Sequence, residues 1–293
     1  MKSGYVAVIG RANAGKSTLV NAFVGEKVSI VSPKPQTTRE RIMGVLTTDD
    51  MQIAFVDTPG LYKAESLLNS VMQKTAFDTA DDVDLILYVL DAHEGASEKD
   101  KALFEKFLKA KVPVVLALNK IDIMPESLLI SEVGEFGEYG VDVVPVSARK
   151  KKNLKELVKT IKNLLPDGDR LFDEEIISDR SERFMIAEIM REKILLKFQK
   201  EIPHGVAVIV NEFKYANGGK RCDISLDIVC EKANHKAILI GKQGSAIKEV
   251  STMARLELER FLDCKVFLTT YIRVDENWRD NAYALKKLGY DGV

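Results

Sequence analysis

The strongest constraint on the fold is residues 10–17, which follow an apolar run and open a helical pattern with the sequence Gly-x-x-x-x-Gly-Lys-Ser. The two glycines let the backbone curl so that its N–H groups and the helix N-terminus point at an anion. Lys16 is expected to reach the β- and γ-phosphates of a nucleotide, and the Ser17 hydroxyl to ligate Mg²⁺. The segment therefore predicts a phosphate-binding loop. Its contact residues are Gly10, Arg11, Ala12, Asn13, Ala14, Gly15, Lys16 and Ser17.

Hydrophobic patterning around this loop predicts the fold class. Over the first 165 residues, apolar β-branched runs alternate with amphipathic stretches of helical period. Continuous apolar runs are typical of parallel strands that are buried on both faces. We therefore expect a doubly wound α/β domain with ligand-contacting loops at the carboxyl ends of its strands. The predicted strands are 5–9, 52–56, 85–90, 112–118 and 141–146, and the predicted helices are 16–25, 98–109 and 153–164.

A second motif, Asp-Thr-Pro-Gly, directly follows the run at 52–56. At the carboxyl end of a strand, Asp57 can hold Mg²⁺ through a water, and the Gly60 N–H can contact a γ-phosphate. Alone, the string is also compatible with a simple turn, but the upstream loop favours a phosphate site. The predicted contacts are Asp57, Thr58, Pro59, Gly60 and Leu61.

Between the two motifs lies a polar segment, 32–39, with neither helical nor strand period. A hydroxyl from Thr37 or Thr38 can complete the Mg²⁺ shell when a triphosphate is bound, and we assign Thr38. An ordinary flexible connection is the alternative for any single residue of this segment.

The predicted hydrolytic machinery lacks one common part. Leu61 follows the Asp-Thr-Pro-Gly motif, where a glutamine could orient the attacking water. Hydrolysis should be slow unless another group supplies that positioning. We expect Asn13 to help hold a monovalent cation, K⁺, at the place where an arginine finger acts in other enzymes. The alternative is that Arg39 supplies the positive charge. The predicted catalytic residues are Lys16, Asn13 and Thr38.

A third motif, Asn-Lys-Ile-Asp, follows the run at 112–118. The Asp122 carboxylate can accept hydrogen bonds from guanine N1–H and the exocyclic amine, whereas adenine would leave it unpaired. Asn119 is expected to bridge back to the phosphate loop, and the Lys120 stem to cover the base. GTP and GDP are therefore the predicted ligands. Their base contacts are Asn119, Lys120, Ile121 and Asp122, with a backbone contact from Ser147 and Ala148.

After residue 165 the pattern changes. Pro and Gly at 166–168 end the last helix, and an acidic irregular stretch follows. A helix, a hairpin of two strands, a short helix, a Gly-Lys-Gln-Gly tetrapeptide, a long helix and a final strand come next. We therefore predict an α/β domain at 1–168, a linker at 169–182, a smaller α+β domain at 183–278 and a C-terminal tail at 279–293.

The tetrapeptide lies between two helices, and this order of elements resembles a type II KH domain. In KH domains a GxxG loop clamps an RNA backbone, because its glycines allow close approach to phosphates. Residues 204–274 carry eleven Lys or Arg and eight Asp or Glu, a modest net charge of +3. A plain turn between helices, or a protein-binding surface, is the alternative. The predicted RNA contacts are Gly241, Lys242, Gln243 and Gly244.

Composition excludes several other classes. The formal net charge is −1, so the molecule is no polycation and any contact with nucleic acid must be local. The three cysteines form no CxxC pair, and the three histidines show no metal-ligand spacing. Every apolar run is far shorter than the roughly 20 residues needed to cross a bilayer. We expect a cytosolic protein that is at most peripheral to a membrane.

Together the motifs resemble the bacterial Era family of GTPases. The similarity comprises Gly-Arg-x-Asn-x-Gly-Lys-Ser, Pro-x-Gln-Thr-Thr-Arg, Asp-Thr-Pro-Gly-Leu, Asn-Lys-x-Asp, the KH-like order and Glu-Asn-Trp-Arg-Asp at 276–280. It covers nearly the whole chain. One departure is Ala12, where proline is common in that loop, and it should not impair phosphate binding.

This resemblance implies a GTP-hydrolysing factor in 30S ribosomal-subunit assembly and rRNA maturation. Its KH domain would bind the 3′ region of 16S rRNA, and the protein would associate peripherally with the cytoplasmic face of the cell membrane. We expect a monomer. The alternatives are an ATPase with the same phosphate loop, which Asp122 argues against, and a nucleotide-switched RNA- or protein-binding module with negligible turnover.

Overall fold

The computed structural model describes residues 1–61, 66–200 and 202–290. Contacts divide the chain into two compact units whose main boundary lies between Asp179 and Arg180, inside the predicted linker. Two short earlier segments, Ser32–Thr37 and 66–70, cluster with the second unit. Apart from these two segments, the first unit contains the predicted α/β domain, and the second contains the predicted α+β domain.

The first unit is built on a six-stranded sheet in the order β2-β3-β1-β4-β5-β6. All neighbouring strands are parallel except β2, which runs antiparallel to β3. The doubly wound α/β prediction is confirmed. The strands are β1 (Lys2–Ile9), β2 (Ile42–Thr47), β3 (Met51–Asp57), β4 (Leu85–Asp91), β5 (Val114–Asn119) and β6 (Asp142–Pro145). The helices are α1 (Lys16–Val24), α2 (Leu67–Asp81), α3 (Glu98–Leu108), α4 (Glu126–Gly137) and α5 (Leu154–Leu164).

Burial of the central strands explains their continuous apolar runs. Strands β3, β4 and β5 are buried along their whole length. Alternate residues of β1 enter cores on opposite faces of the sheet, with Val6 and Val8 in one and Ala7 and Ile9 in the other. Because the parallel strands run side by side, their carboxyl ends meet at one edge, where ligand sites of such sheets form.

Residues 169–179 lie against the first unit, although they contain no helix or strand. The Gln52 side-chain oxygen accepts hydrogen bonds from the backbone of Leu171 (2.6 Å) and Phe172 (2.9 Å). The Val45 N–H donates to the Ile177 carbonyl at 2.9 Å. Hydrogen bonds that involve the Gln52 side chain and the β2 backbone therefore hold this stretch, which was predicted as a linker, against the α/β sheet. Its irregular sequence pattern does not indicate these contacts.

The second unit contains a three-stranded sheet in the order β7-β8-β9, with β7 and β8 antiparallel and β8 and β9 parallel. The helix–strand–strand–helix–helix–strand order is that of the predicted type II KH domain. Three of its helices, Glu182–Lys197, Ala233–Ile240 and Ser245–Phe261, share one apolar core with the sheet. The elements are α6 (Glu182–Lys197), β7 (Val206–Ala216), β8 (Arg221–Cys230), α7 (Ala233–Ile240), α8 (Ser245–Phe261), β9 (Lys265–Val274) and α9 (Ala282–Lys287).

The predicted tail packs within the second unit as far as residue 290. Trp278, just before it, is fully buried and donates from its indole nitrogen to the Gly205 carbonyl at 3.1 Å. Tyr290 stacks on the Trp278 ring with centroids 6.0 Å apart. Residues 291–293 of this tail lie outside the described residues. Across the described part of the chain, none of the helices has the length and hydropathy needed to span a membrane.

Candidate functional site

The phosphate loop needs glycine at two positions. Gly10 has φ 151°, and a Cβ there would lie 2.2 Å from the Val89 carbonyl oxygen. Gly15 has φ 95°, and its Cβ would lie 2.2 Å from the Asn119 side-chain nitrogen. The chain therefore passes too close to its neighbours for any side chain, and α1 begins directly after this turn at Lys16.

Lys16 is buried inside this loop. Its ammonium group donates to the carbonyls of Gly10 and Arg11, each at 3.0 Å. Burial lowers the pKa of Lys16 to about 8, against the opposing effect of the Asp57 charge. A phosphate group entering the loop would supply the negative charge that the buried ammonium needs.

Nucleotide binding should therefore drive proton uptake at Lys16. A bound phosphate favours the ammonium form, so about half a proton per nucleotide is expected near pH 8, and affinity should fall roughly fourfold between about pH 7 and 8.5. Calorimetric titration with GDP in buffers of different ionisation enthalpy measures this uptake. Lys16→Met is the matched control, because guanine itself titrates equally in both proteins. Equal proton uptake by the two proteins would contradict the assignment.

Three side chains meet beside Lys16 in an arrangement that fits Mg²⁺. The hydroxyls of Ser17 and Thr38 lie 2.8 Å apart, and the Thr38 hydroxyl lies 3.5 Å from Oδ2 of Asp57. Burial raises the pKa of Asp57, although Lys16 and nearby hydroxyls act to lower it. Within the described residues, Oδ1 of Asp57 has no hydrogen-bond partner. A buried, unpaired carboxylate oxygen beside two hydroxyls is the hard oxygen donor set that Mg²⁺ prefers.

The structure also separates the two candidate threonines. The Thr37 hydroxyl donates to the Lys34 carbonyl at 2.6 Å and lies 2.7 Å from the Ser32 hydroxyl. Thr38, in contrast, directs its hydroxyl to Ser17. The geometry therefore supports Thr38 as the Mg²⁺ ligand.

The Asp-Thr-Pro-Gly segment packs directly on the phosphate loop. A Cβ on Gly60 would lie 2.7 Å from the Ala12 Cα, and the Leu61 N–H donates to the Gly10 carbonyl at 3.2 Å. The Thr58 hydroxyl donates to the Val8 carbonyl of β1 at 2.8 Å, which fixes this segment to the sheet. The Leu61 side chain enters an apolar core, so it offers no polar atom to an attacking water.

The base-selector motif is tied to the phosphate loop as predicted. Buried Asn119 donates from its side chain to the Ala14 carbonyl at 2.8 Å. Its side-chain oxygen accepts from the Ala148 N–H at 3.0 Å. One amide thus fixes the loop, the end of β5 and the segment after β6 in a single arrangement.

Asp122 is exposed at the rim of this site, where a base can reach it. The Ser147 hydroxyl donates to its Oδ1 at 2.6 Å, which orients the carboxylate. The Ile121 N–H is bound to the Val146 carbonyl at 3.3 Å, so the turn that carries the carboxylate is itself fixed. The remaining lone pairs of Asp122 can accept from two adjacent donors, as guanine presents them.

Two supporting residues, and the side-chain role of a third, were not predicted from the sequence. Asp91 forms an ion pair with the Lys120 ammonium, Asp100 accepts from Arg11 at 2.9 Å, and Ser147 uses its side chain where only a backbone contact was predicted. Asp91 could have been predicted as a site residue, because it is the last residue of β4, just as Asp57 and Asn119 are the last residues of their strands. The other two pairings join distant parts of the chain and leave no local pattern.

In the second unit, the Gly-Lys-Gln-Gly segment forms a tight turn between α7 and α8. Gly241 has φ 73°, and a Cβ there would lie 2.7 Å from the Ala246 Cβ, so helix packing requires this glycine. Gly244 has φ 77° and open space where a Cβ would be, so another backbone can approach it. The side chains of Lys242 and Gln243 are exposed. The turn therefore presents one charge and an accessible backbone to solvent.

Of the apolar residues beside this turn, Leu239 is fully buried in the core, whereas Ile238 is half exposed. Ile240 and Ile247 are partly buried, and Ile247 packs against the core. Ile238 is thus the member of this group with the most surface free to contact a ligand.

A doubly wound sheet with a phosphate loop, a magnesium-type donor set and a guanine selector defines a GTP-binding protein of the P-loop class, here followed by a KH domain. A family model described as "50S ribosome-binding GTPase" matches residues 5–120, and one described as "KH domain" matches 201–279. GTPase Era of Clostridium kluyveri is 43% identical over 292 residues, 99% of each chain. GTPase Era of Clostridium perfringens is 44% identical over 295 residues, 99% of this chain and 98% of that protein. The chain belongs to the Era family of GTPases.

Solved structures agree over the full length. A variant of Aquifex aeolicus Era bound to GDP.AlF4- is 39% identical, with a TM-score of 0.95 over 99% of both chains. A structure of Era in complex with MgGDPNP and nucleotides 1506–1542 of 16S ribosomal RNA matches with the same identity, TM-score and coverage.

Proposed function

We propose that this GTPase uses its nucleotide cycle to bind the 3′ region of 16S rRNA through the KH domain, during 30S-subunit assembly and rRNA maturation. The observation that carries the proposal is the conjunction, in one chain, of a guanine site ending in Asp122 with an open GxxG turn in a type II KH domain. The similar Era structure with 16S rRNA nucleotides supports the choice of RNA.

In the proposed mechanism, each group around the phosphate loop has a separate task. Lys16 and the loop N–H groups stabilise the charge that develops on the transferred phosphoryl oxygens. Ser17, Thr38 and Asp57 would hold Mg²⁺, which neutralises phosphate charge when bound. Because Leu61 cannot position the attacking water, that task falls to the loop backbone and to a cation.

We propose K⁺ as that cation, held with the help of Asn13, which lies in the phosphate loop with φ 64°. If so, GTP turnover should be roughly tenfold or more faster in K⁺ than in Na⁺ buffer, since one missing charge-stabilising group typically costs at least that much. Turnover at equal ionic strength measures the effect, and Asn13→Ala should remove the difference. Identical rates in the two salts would rule out the cation.

The RNA contact is tested at Gly244, where the structure has room for a side chain. Gly244→Asp places a negative charge where a phosphate is expected, and should weaken binding of a single-stranded 16S 3′-terminal fragment by about tenfold or more. Gly244→Asn is the matched control, because asparagine has the same shape and tolerates a positive φ equally. Filter binding with the triphosphate analogue present measures both. Equal losses in the two variants would mean that shape, not charge, is responsible.

The same assay distinguishes ribosomal targets. The description of the matching family model names the 50S subunit, so fragments of 23S rRNA should be tested together with the 16S fragment. We expect preference for the 16S fragment; preference for 23S rRNA would redirect the proposal to the 50S subunit.

We further propose a cytoplasmic monomer with peripheral contact to the inner face of the cell membrane. Resemblance to the Era family supports this placement, and an rRNA partner requires access to the cytoplasm. Cell fractionation and light scattering test location and oligomeric state.

A further inference from the structure

A tight turn next to the base selector carries an unusual density of positive charge. Ser147 and Lys152 exchange backbone hydrogen bonds of 3.2 and 3.0 Å, which close the turn between them. Arg149, Lys150 and Lys151 occupy the turn, and all three, with Lys152, are exposed. The closed backbone therefore projects four consecutive cationic side chains into solvent.

Helix α5 extends this charge along one face. Leu154 and Leu157 are buried in the core, which fixes the orientation of the helix. Lys155 and Lys159 are exposed and four residues apart, so they lie one above the other on the outer surface. From Lys155 to Lys159 the row runs about 6 Å at the helical rise of about 1.5 Å per residue. We call the six cationic side chains the basic ridge: Arg149, Lys150, Lys151, Lys152, Lys155 and Lys159.

The charge of the basic ridge is not compensated locally. No member forms an ion pair with any residue in the described ranges, whereas nearby Lys162 pairs with Asp50. Glu156 is the one carboxylate in the sequence from 149 to 159. With Glu156 counted, the segment from 149 to 159 has a net charge of +5 in a protein whose formal net charge is −1. Repulsion among these groups is relieved by binding a polyanion.

We propose that the basic ridge binds the phosphate backbone of double-helical RNA, as a second RNA contact distinct from the KH turn. The exposed residues between 149 and 159 are all charged or polar. They include no aromatic ring on which an unpaired base could stack, and no apolar side chain that could enter a bilayer. This chemistry suits a partner that presents phosphates while its bases stay paired. The inference rests on the proposed function only in taking RNA as the polyanion.

The test compares two triple variants in the full-length protein. Lys150→Gln, Lys151→Gln and Lys152→Gln together remove half of the ridge. Three exposed lysines elsewhere in the first unit provide the matched control, with the same loss of charge: Lys106→Gln, Lys109→Gln and Lys111→Gln. Thermal unfolding of each variant shows that the fold is retained. The probes are a random-sequence RNA duplex, the single-stranded 16S 3′-terminal fragment and anionic phosphatidylglycerol vesicles.

Salt dependence supplies the readout. Each lost phosphate contact lowers the slope of log K against log salt by about 0.9 for a duplex, so three contacts lower it by about 2 to 3. Between about 50 and 200 mM NaCl, the wild type should lose roughly 16- to 64-fold more duplex affinity than the ridge variant. The control variant should behave as wild type.

Several results would overturn the proposal. An unchanged slope in the ridge variant, or no duplex binding by the wild type at low salt, excludes the contact. A loss of vesicle binding without a change on the duplex assigns the ridge to a membrane instead. Failure of the KH assignment looks different: Gly244→Asp would leave single-strand binding intact, while the ridge variant still loses duplex binding.

Discussion

Replacing Asp122 with asparagine should weaken GDP binding by about 10²- to 10⁴-fold. Two hydrogen bonds from guanine to a carboxylate contribute about 1.5–3 kcal/mol each, and each 1.4 kcal/mol is a factor of ten in affinity. The asparagine NH2 group would also face the exocyclic amine of guanine, so that two hydrogen-bond donors oppose each other. Xanthosine diphosphate has a carbonyl oxygen in place of this amine and should bind the variant better than GDP does. Calorimetric titration with both nucleotides measures the change.

The control for this prediction is Ser147→Ala. It removes the 2.6 Å hydrogen bond that orients the carboxylate but keeps the charge, so it should weaken GDP binding by only about tenfold. If Asp122→Asn bound GDP as tightly as the wild type, the base selector would have to lie elsewhere.

Replacing Lys16 with methionine should slow GTP hydrolysis by about 10²- to 10³-fold, the usual effect of removing one preorganised charge-stabilising group. The reason is that no other ammonium group lies in the described part of the phosphate loop. Single-turnover hydrolysis at saturating protein separates this effect from weaker binding.

Loss of fold cannot account for such a result. A buried ammonium whose pKa is lowered to about 8 destabilises the folded protein below that pH, and the cost disappears as pH rises from about 8 to 10.5. The melting temperature of Lys16→Met near neutral pH should therefore not fall. A rate within a few-fold of the wild type would remove Lys16 from the catalytic residues.

Long apolar runs made most of the fold readable. The run at 85–90 became β4 with one added residue, since continuous burial leaves a continuous signal. Three elements of the first unit had no such signal. β2 is an edge strand in which Gly44 packs against Val20. Helix α4 contains two glycines and exposes Leu128 and Ile130. Neither element therefore has a clear hydrophobic periodicity. Helix α2 has only weak amphipathic character.

Site residues could be predicted from the sequence where a motif fixes the backbone conformation. They could not be predicted where their role depends on a side-chain partner elsewhere in the chain. Gly10, Lys16 and Asp57 follow from spacing, because a phosphate loop and a strand end dictate them. The choice between Thr37 and Thr38 required coordinates, since neighbouring hydroxyls look equivalent until the chain direction is known. The roles of Asp91 and Asp100 depend on partners dozens of residues away.

The segment around Ser178 covers the edge strand β2, and this affects whether two copies of the protein can pair through their sheet edges. Gly44 forms an antiparallel bridge with Ser178, so the outer amides of that strand are already engaged. The opposite border of the sheet, β6, is only four residues long and ends in Pro145. Short, proline-bearing or covered borders prevent strand-by-strand growth into aggregates. A fragment cut at residue 168 would lose this protection, whereas one cut at 179 would keep it.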